Sequence, residues 1–203
     1  MSVFTYEEKD GRSKIEKYEW TRTWIDSTED TETDRVFYIG DSISSAILRI
    51  ATELASGDYL FDGISTSKSI DHPLYRDYVD LFAREQGKRS FVLFNFGLHG
   101  WHLDDDVEYP TYYRDTVKYL LDKFPTEKIY IVLTTAVSDA ARCERVIKRN
   151  EAAREVAREF SLPLIDLYTV SRENSEYRSD DGVHYNTEGY RRLASEIIKV
   201  LRA

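Results

Sequence analysis

Five short apolar runs alternate along the chain with amphipathic segments, and this alternation restricts the fold more than any other feature. The runs are VFYIG (36–40), YLFDGI (59–64), FVLFNFG (91–97), KIYIVLTT (128–135) and PLIDLY (163–168). Between the runs, apolar residues recur at helical spacing, as in Ile43, Ile47, Ile50 and Leu54. Strands that are apolar throughout and separated by helices are typical of a parallel sheet covered on both faces. The pattern therefore predicts an α/β fold with five parallel strands.

The first part of the chain departs from this pattern, so we expect an extension over residues 1–34 and one domain over residues 35–203. The segment STEDTETD (27–34) is polar and acidic, as in an exposed linker. Trp20 and Trp24 stand four residues apart, which is the spacing of neighbours on one helix face. We interpret them as a short helix packed on the domain; the alternative is that one tryptophan borders a ligand cleft.

Composition excludes several classes of function. The net charge of -9 argues against a nucleic-acid partner, because binding to phosphates requires a concentrated basic surface. The basic residues are scattered, and RVIKRN (145–150) is interpreted as the solvated face of a helix. The single cysteine excludes an internal disulfide. Because no apolar stretch reaches the length of a membrane span, we expect a soluble protein, cytoplasmic as written, or secreted or periplasmic if a signal peptide was removed.

Polar residues at the ends of predicted strands are the candidates for a site, since ligands of parallel sheets bind beyond the carboxyl ends of the strands. The first strand ends in GDS, residues 40–42, directly before a helix. Ser42 would stand at the helix N-terminus, where unpaired N–H groups favour negative charge and its own N–H can stabilise an oxyanion. The alternative is that Asp41 or Ser42 only caps the helix.

A second candidate lies in SDDGVHYNTEGY (179–190), between the last predicted strand and the last helix. Asp181 and His184 are three residues apart on a glycine-containing turn, so the carboxylate can reach the imidazole, fix its tautomer and stabilise the imidazolium. The alternative is an Asp-Gly turn followed by an exposed histidine. Together with Ser42, the pair supplies a nucleophile, a base and an orienting carboxylate.

The order of these motifs resembles the SGNH, or GDSL, hydrolase superfamily over roughly residues 35–203. IGDSIS (39–44) is similar to the nucleophile block of that superfamily, and DGVH (181–184) to the block that completes its triad. The resemblance implies a flavodoxin-like three-layer α/β/α sandwich, ester hydrolysis by Ser42, His184 and Asp181, and no cofactor. FNFGLHGWH (94–102) resembles the NxGLHGWH segment of a bacterial branch that is often associated with carbohydrate esterases.

The chain departs from the superfamily at the residues that would bind the oxyanion. The third block usually runs Gly-x-Asn-Asp, and here His99 stands at the Asn position, where a histidine N–H can donate instead. Asn95 is the rival donor. The second block usually supplies a glycine N–H, for which Gly63 is the choice, although a shifted alignment would place Ser65 or Thr66 there.

His99 and His102 also raise the alternative of a metal site, because the carboxylates of LDDD (103–106) follow them. The segment is predicted to be a loop, and no HExxH or Cys/His spacing is present, so no metal site is predicted. We expect Trp101 and His102 to line the substrate cleft, and we assign Asp41 to the same cleft.

The sequence therefore predicts a serine esterase that hydrolyses small acyl esters, with acetyl groups on a carbohydrate as the expected substrate. A small-molecule or saccharide ester is the expected partner, and the oligomeric state is left open. The alternatives are a lysophospholipase or thioesterase, and a carbohydrate-binding module that keeps the fold without turnover.

Overall fold

A central sheet of six strands runs through residues 18–203, the part of the chain that the computed structural model describes. The strands are β1 (Thr21–Trp24), β2 (Asp34–Gly40), β3 (Tyr59–Thr66), β4 (Phe91–Phe94), β5 (Lys128–Val132) and β6 (Leu164–Ile165). Strands β2 to β6 pair in parallel in the order β3-β2-β4-β5-β6, which is the flavodoxin-like order. The predicted parallel α/β fold is confirmed.

Helices cover both faces of the sheet. They are α1 (Ser42–Ala55), α2 (Tyr75–Gln86), α3 (Glu108–Lys123), α4 (Ala140–Glu159), α5 (Leu167–Glu173) and α6 (Thr187–Leu201). Val36 and Tyr38 of β2 pack with α1 and α6, whereas Phe37 and Ile39 pack with α2, α3 and α4. This alternation explains the continuous apolar run, since both faces of the strand are buried. None of these helices has the length and apolar character needed to cross a bilayer.

The sheet has six strands instead of the expected five, because β1 adds an antiparallel edge strand beside β3. The helix predicted around Trp20 and Trp24 is therefore wrong. The hydroxyls of Thr21 and Thr66 lie 3.0 Å apart, and the Trp20 carbonyl accepts a hydrogen bond of 2.9 Å from the Thr66 hydroxyl. Pairing with the otherwise open edge of β3 outweighs the helical spacing of the two indoles. Residues 1–17 of the predicted extension lie outside the described residues.

The last predicted strand, residues 163–168, is also too long. Strand β6 contains only Leu164–Ile165, and α5 begins at Leu167. Asp166 causes the change, because its side chain accepts a hydrogen bond of 2.9 Å from the N–H of Thr169 and so caps the helix.

Arg35 ties the acidic segment before β2 to the sheet. Its guanidinium lies 2.9 Å from a carboxylate oxygen of Asp62, and it also donates to the carbonyls of Asp26, Ser27 and Asp30. Both charged side chains are buried, so each depends on the other to offset the cost of leaving water. The described residues of the predicted linker are thus bound to the domain through their backbone.

Replacing Asp62 tests this anchor. We expect Asp62→Ala to lower the free energy of unfolding by roughly 3–5 kcal/mol, because it leaves the Arg35 guanidinium buried without its carboxylate. Urea denaturation measures the loss. Asp58→Ala, which removes an exposed ion pair with Arg202, is the control and should cost roughly 0–1 kcal/mol. Equal losses in the two variants would contradict the importance of the buried pair.

Candidate active site

Ser42 is the first residue of α1, at the turn that follows β2. Asp41 caps the helix, since its side chain accepts a hydrogen bond of 2.9 Å from the N–H of Ile43. The turn requires glycine before Asp41: a Cβ at Gly40 would lie 2.6 Å from the Ser44 hydroxyl. The Ser42 side chain is partly exposed at the carboxyl edge of the sheet, where α1 directs its first N–H groups.

His184 and Asp181 reach Ser42 from the turn before α6. His184 Nε2 lies 2.8 Å from the Oγ of Ser42, and His184 Nδ1 lies 2.6 Å from the Oδ2 of Asp181. The turn is closed by a hydrogen bond of 2.8 Å from the N–H of Ser179 to the His184 carbonyl. With Asp181 accepting from Nδ1–H, the lone pair of Nε2 is directed at the serine hydroxyl. The structure thus brings the three residues together in one hydrogen-bonded chain.

The carboxylate of Asp181 is held in its ionised form. Partial burial acts to raise the pKa of Asp181, but hydrogen bonds from the Val183 N–H and from the N–H and ring of His184 lower it to about 2. Both backbone N–H groups lie 2.9 Å from the same carboxylate oxygen. A fixed negative charge therefore faces the imidazole, as is needed to stabilise an imidazolium.

Asp41 is buried beneath the serine. Its Oδ2 has no hydrogen-bond partner among residues 18–203. Burial raises the pKa of Asp41, and the nearby His99 and His184 oppose this effect. With 2% of its surface exposed, Asp41 offers little area to a substrate, and its observed contacts are those of a helix cap.

His99 lies close enough to Asp41 for its charge to lower the pKa of that carboxyl group. Its ring packs edge-on against Trp20, with the ring centroids 6.1 Å apart. This contact favours the alternative that a tryptophan of the N-terminal segment borders the site.

The side-chain amide of Asn95 is engaged by a backbone group and a side-chain group at the end of β5 and just after it. Its Nδ2 donates to the Val132 carbonyl at 2.9 Å and to the Thr134 hydroxyl at 3.1 Å, so both amide hydrogens are engaged. Asn95 is buried, and these bonds tie the end of β4 to β5.

Gly63 stands three residues before the end of β3. It lies inside β3 and pairs with Trp24 on one side and Tyr38 on the other, so its polar backbone groups belong to the sheet ladders. Ser65 pairs with Gly40, and the next residue, Thr66, stands at the level of Asp41. The register therefore favours the shifted alignment over Gly63.

Trp101 and His102 line a different cleft, of about 730 Å³, to which neither Ser42 nor His184 contributes. His102 Nε2 lies 3.1 Å from both carboxylate oxygens of Asp71. His99 and His102 thus have different neighbours, and residues 18–203 contain no cluster of three His, Cys, Asp or Glu side chains suited to a metal ion.

Arg149 is the residue that the sequence interpretation missed. The charges of RVIKRN predict a solvated face, but Arg149 is fully buried on α4. The helical period indicates this burial, because Arg149 stands three residues after Val146 and four before Ala153 on the same buried face.

The chain is similar to known proteins in sequence and in fold. The family model described as GDSL-like Lipase/Acylhydrolase family matches residues 38–192. Over 86 residues, or 41% of the chain, the sequence is 36% identical to a protein named "Putative O-acetyltransferase" of Staphylococcus aureus (strain COL). The matched region spans only 13% of that curated relative.

Solved structures share the fold at low sequence identity. A lipase/acylhydrolase from Enterococcus faecalis matches with a TM-score of 0.65 and 19% identity, covering 84% of this chain and 96% of that one. An acetyl xylan esterase, AlAXEase, matches with a TM-score of 0.64 and 20% identity, covering 82% and 99% of the two chains. At this identity the likeness shows the fold alone.

The pKa of Asp181 gives a direct test of the hydrogen-bonded chain. We expect its carboxyl carbon to titrate at about pH 2 in an NMR experiment, and the midpoint to rise in His184→Gln, which removes the ring contact. Because the folded-state pKa is below its ordinary value, ionised Asp181 stabilises the fold above about pH 4, and this stabilisation is lost as the pH falls through the folded-state pKa. A wild-type midpoint at the ordinary value of 3.8 would contradict the geometry.

Proposed function

The chain belongs to the GDSL-like lipase/acylhydrolase family, and from that premise we propose that it is a serine esterase that removes small acyl groups, acetyl above all, from a carbohydrate. The single observation that carries this proposal is the unbroken hydrogen-bonded chain from Asp181 through His184 to Ser42. Family membership implies an esterase or acylhydrolase; the acyl group, the alcohol and the roles of the residues are the proposed part.

The reaction proceeds in two displacements. His184 Nε2 takes the proton of the Ser42 hydroxyl as Oγ attacks the ester carbonyl, and Asp181 stabilises the resulting imidazolium. When the tetrahedral intermediate collapses, His184 gives this proton to the leaving alcohol and an acyl-serine remains. His184 then takes a proton from water, whose oxygen attacks the acyl carbon, and returns it to Ser42 as the acid is released.

The oxyanion is stabilised at the N-terminus of α1. The N–H of Ser42 is one donor, favoured by the unpaired N–H groups and the dipole of that helix. His99 supplies a second donor from the segment after β4. The N–H of Thr66 is a better third donor than that of Gly63, since Thr66 stands at the level of Asp41.

Two comparisons support acetyl as the acyl group. One relative is named as an O-acetyltransferase and one solved structure as an acetyl xylan esterase, and both activities handle an acetyl ester. Stacking of a sugar on Trp101 receives less support, because the guanidinium groups of Arg145 and Arg149 lie 4.8 and 4.4 Å from its ring centroid.

Acetyl transfer is the second candidate function, favoured by the named relative. The acyl-serine would form in the same way, and a sugar hydroxyl would replace water in the second displacement. Product analysis separates the two, since a transferase converts an added acceptor into an ester and a hydrolase releases acetate.

Replacing the serine tests the esterase. We expect Ser42→Ala to lower kcat for p-nitrophenyl acetate by on the order of 10⁴–10⁶, because the acyl-enzyme cannot form. Ser45→Ala, one turn along the same helix, is the matched control and should keep wild-type activity. A fluorophosphonate should label the wild type and Ser45→Ala, but not Ser42→Ala.

Equal turnover by Ser42→Ala and the wild type would overturn the mechanism. Absence of both turnover and labelling in the wild type would favour a binding module on the same fold. A series of p-nitrophenyl esters then tests the acyl group: a preference for long chains would indicate a lysophospholipase or thioesterase.

The two rival oxyanion donors are separated by a pair of variants. We expect His99→Ala to lower kcat by on the order of 10²–10³ with little change in KM, since the lost bond forms in the transition state. Asn95→Ala should instead lower the free energy of unfolding by about 1–3 kcal/mol, because the buried Val132 carbonyl and Thr134 hydroxyl lose their hydrogen bonds to Asn95, and should preserve kcat of the folded protein. A fall in kcat in Asn95→Ala alone would indicate that Asn95, and not His99, is the oxyanion donor.

A further inference from the structure

Arg149 is a buried cation bound by the segment of residues 97–103, which contains His99. Its Nη1 donates to the carbonyls of Gly97 at 3.3 Å and His99 at 2.6 Å, and its Nη2 donates to the carbonyl of Gly100 at 2.9 Å. Its Nε lies 2.8 Å from the carboxylate of Asp105, which supplies the opposite charge. All three nitrogens of the guanidinium are therefore used.

Two aromatic rings complete the environment of this guanidinium. Its central carbon lies 4.4 Å from the ring centroid of Trp101 and 4.5 Å from that of Tyr109. Such contacts suit the planar, delocalised guanidinium and offset part of the cost of burying a charge.

Arg145, one turn earlier on α4, extends the same pattern. Its Nη2 donates to the carbonyls of Trp101 at 2.9 Å and Leu103 at 3.1 Å. The two arginines thus bind five carbonyls within residues 97–103. A segment without regular secondary structure is held at short intervals along its backbone.

The backbone of the segment is adapted to this binding. Gly100 has φ +67, in the left-handed region, and a Cβ there would lie 2.5 Å from the Ser69 hydroxyl. Because carbonyl and N–H point in opposite directions across a trans peptide, carbonyls directed at Arg149 turn the N–H groups of Leu98, Gly100 and Trp101 away from α4. Arg149 therefore determines which backbone groups the segment presents on its other side.

We propose that Arg149 is a positioning residue for catalysis, which holds residues 97–103 so that His99 is directed to the oxyanion formed at Ser42. This role rests on the esterase proposed above. Arg149 itself touches no reacting atom, and it acts through the three carbonyls that it binds.

The fork of donors explains why arginine is required. Arg149 serves three carbonyls and one carboxylate from three nitrogens in a fixed plane. A lysine has its three donors on one nitrogen, so it keeps the charge but loses this geometry. Arg149→Lys therefore separates charge from geometry, and Arg149→Met removes both.

Arg35 provides the matched control. It is also buried, bound to a carboxylate and to three backbone carbonyls, but it lies at the opposite end of β2 from Ser42. Arg35→Met should lower the stability of the fold as Arg149→Met does, without reaching the candidate site.

Kinetics on p-nitrophenyl acetate, per site titrated with fluorophosphonate, give the first measurement. We expect Arg149→Met to lower kcat by on the order of 10² with little change in KM, since a displacement of about 1 Å in a positioning element has that effect. The kcat of Arg149→Lys should lie between those of Arg149→Met and the wild type, and Arg35→Met should keep wild-type kcat. A kcat for Arg149→Met equal to that of Arg35→Met would overturn the role.

Imidazole NMR gives a measurement that does not depend on activity. The chain has four histidines, so each signal can be assigned from a His→Gln variant. We expect Arg149→Lys and Arg149→Met to shift the His99 signal and leave that of His184 in place, while Arg35→Met shifts neither. An unchanged His99 signal in both Arg149 variants would overturn the role. If the wild type hydrolyses no ester, the proposed function fails, and the His99 signal still decides whether Arg149 positions the segment.

Discussion

The parallel pairing of β2 with β3 on one side and β4 on the other is the constraint from which the candidate site follows. Gly40 pairs with Ser65 and Ile39 with Phe94, so the three strands end at one level. The chain leaves β2 and β4 toward the same edge, and this is the point where an open sheet of this order forms a crevice. Ser42 and the segment with His99 emerge there together.

A second dependence links the hydrogen bond at Ser42 to the apolar packing of two helices. Ser42 begins α1, and His184 stands shortly before α6, at a separation of 142 residues in sequence. Ile47 and Ala51 of α1 share a buried cluster with Leu193 and Ile197 of α6. Burial of each large apolar side chain contributes about 1.5–3 kcal/mol, so this interface, rather than the polar contact, holds the helices in place.

Two buried arginines perform similar tasks at opposite ends of the sheet. Arg35 binds the backbone before β2, and Arg149 binds the backbone after β4, each with a carboxylate as counter-charge. Buried ion pairs add little net stability compared with apolar residues, but their many directed donors select one conformation of an irregular segment. In both places the arginine replaces the hydrogen bonds that regular secondary structure would have supplied.

The sequence by itself determined the parallel strands, and it predicted Ser42, Asp181 and His184 as the candidate site residues, because these predictions follow from local period and from positions at strand or helix ends. Only the tertiary structure decided that Thr21–Trp24 is a strand and that Asn95 bonds to β5. The burial of Arg149 was also decided by the tertiary structure. The charge of this residue predicts a solvated face, whereas its position in the helical period predicts a buried one. The physical reason is the same in each case: a polar group is placed by the partner that satisfies it, and those partners lie tens of residues away in sequence.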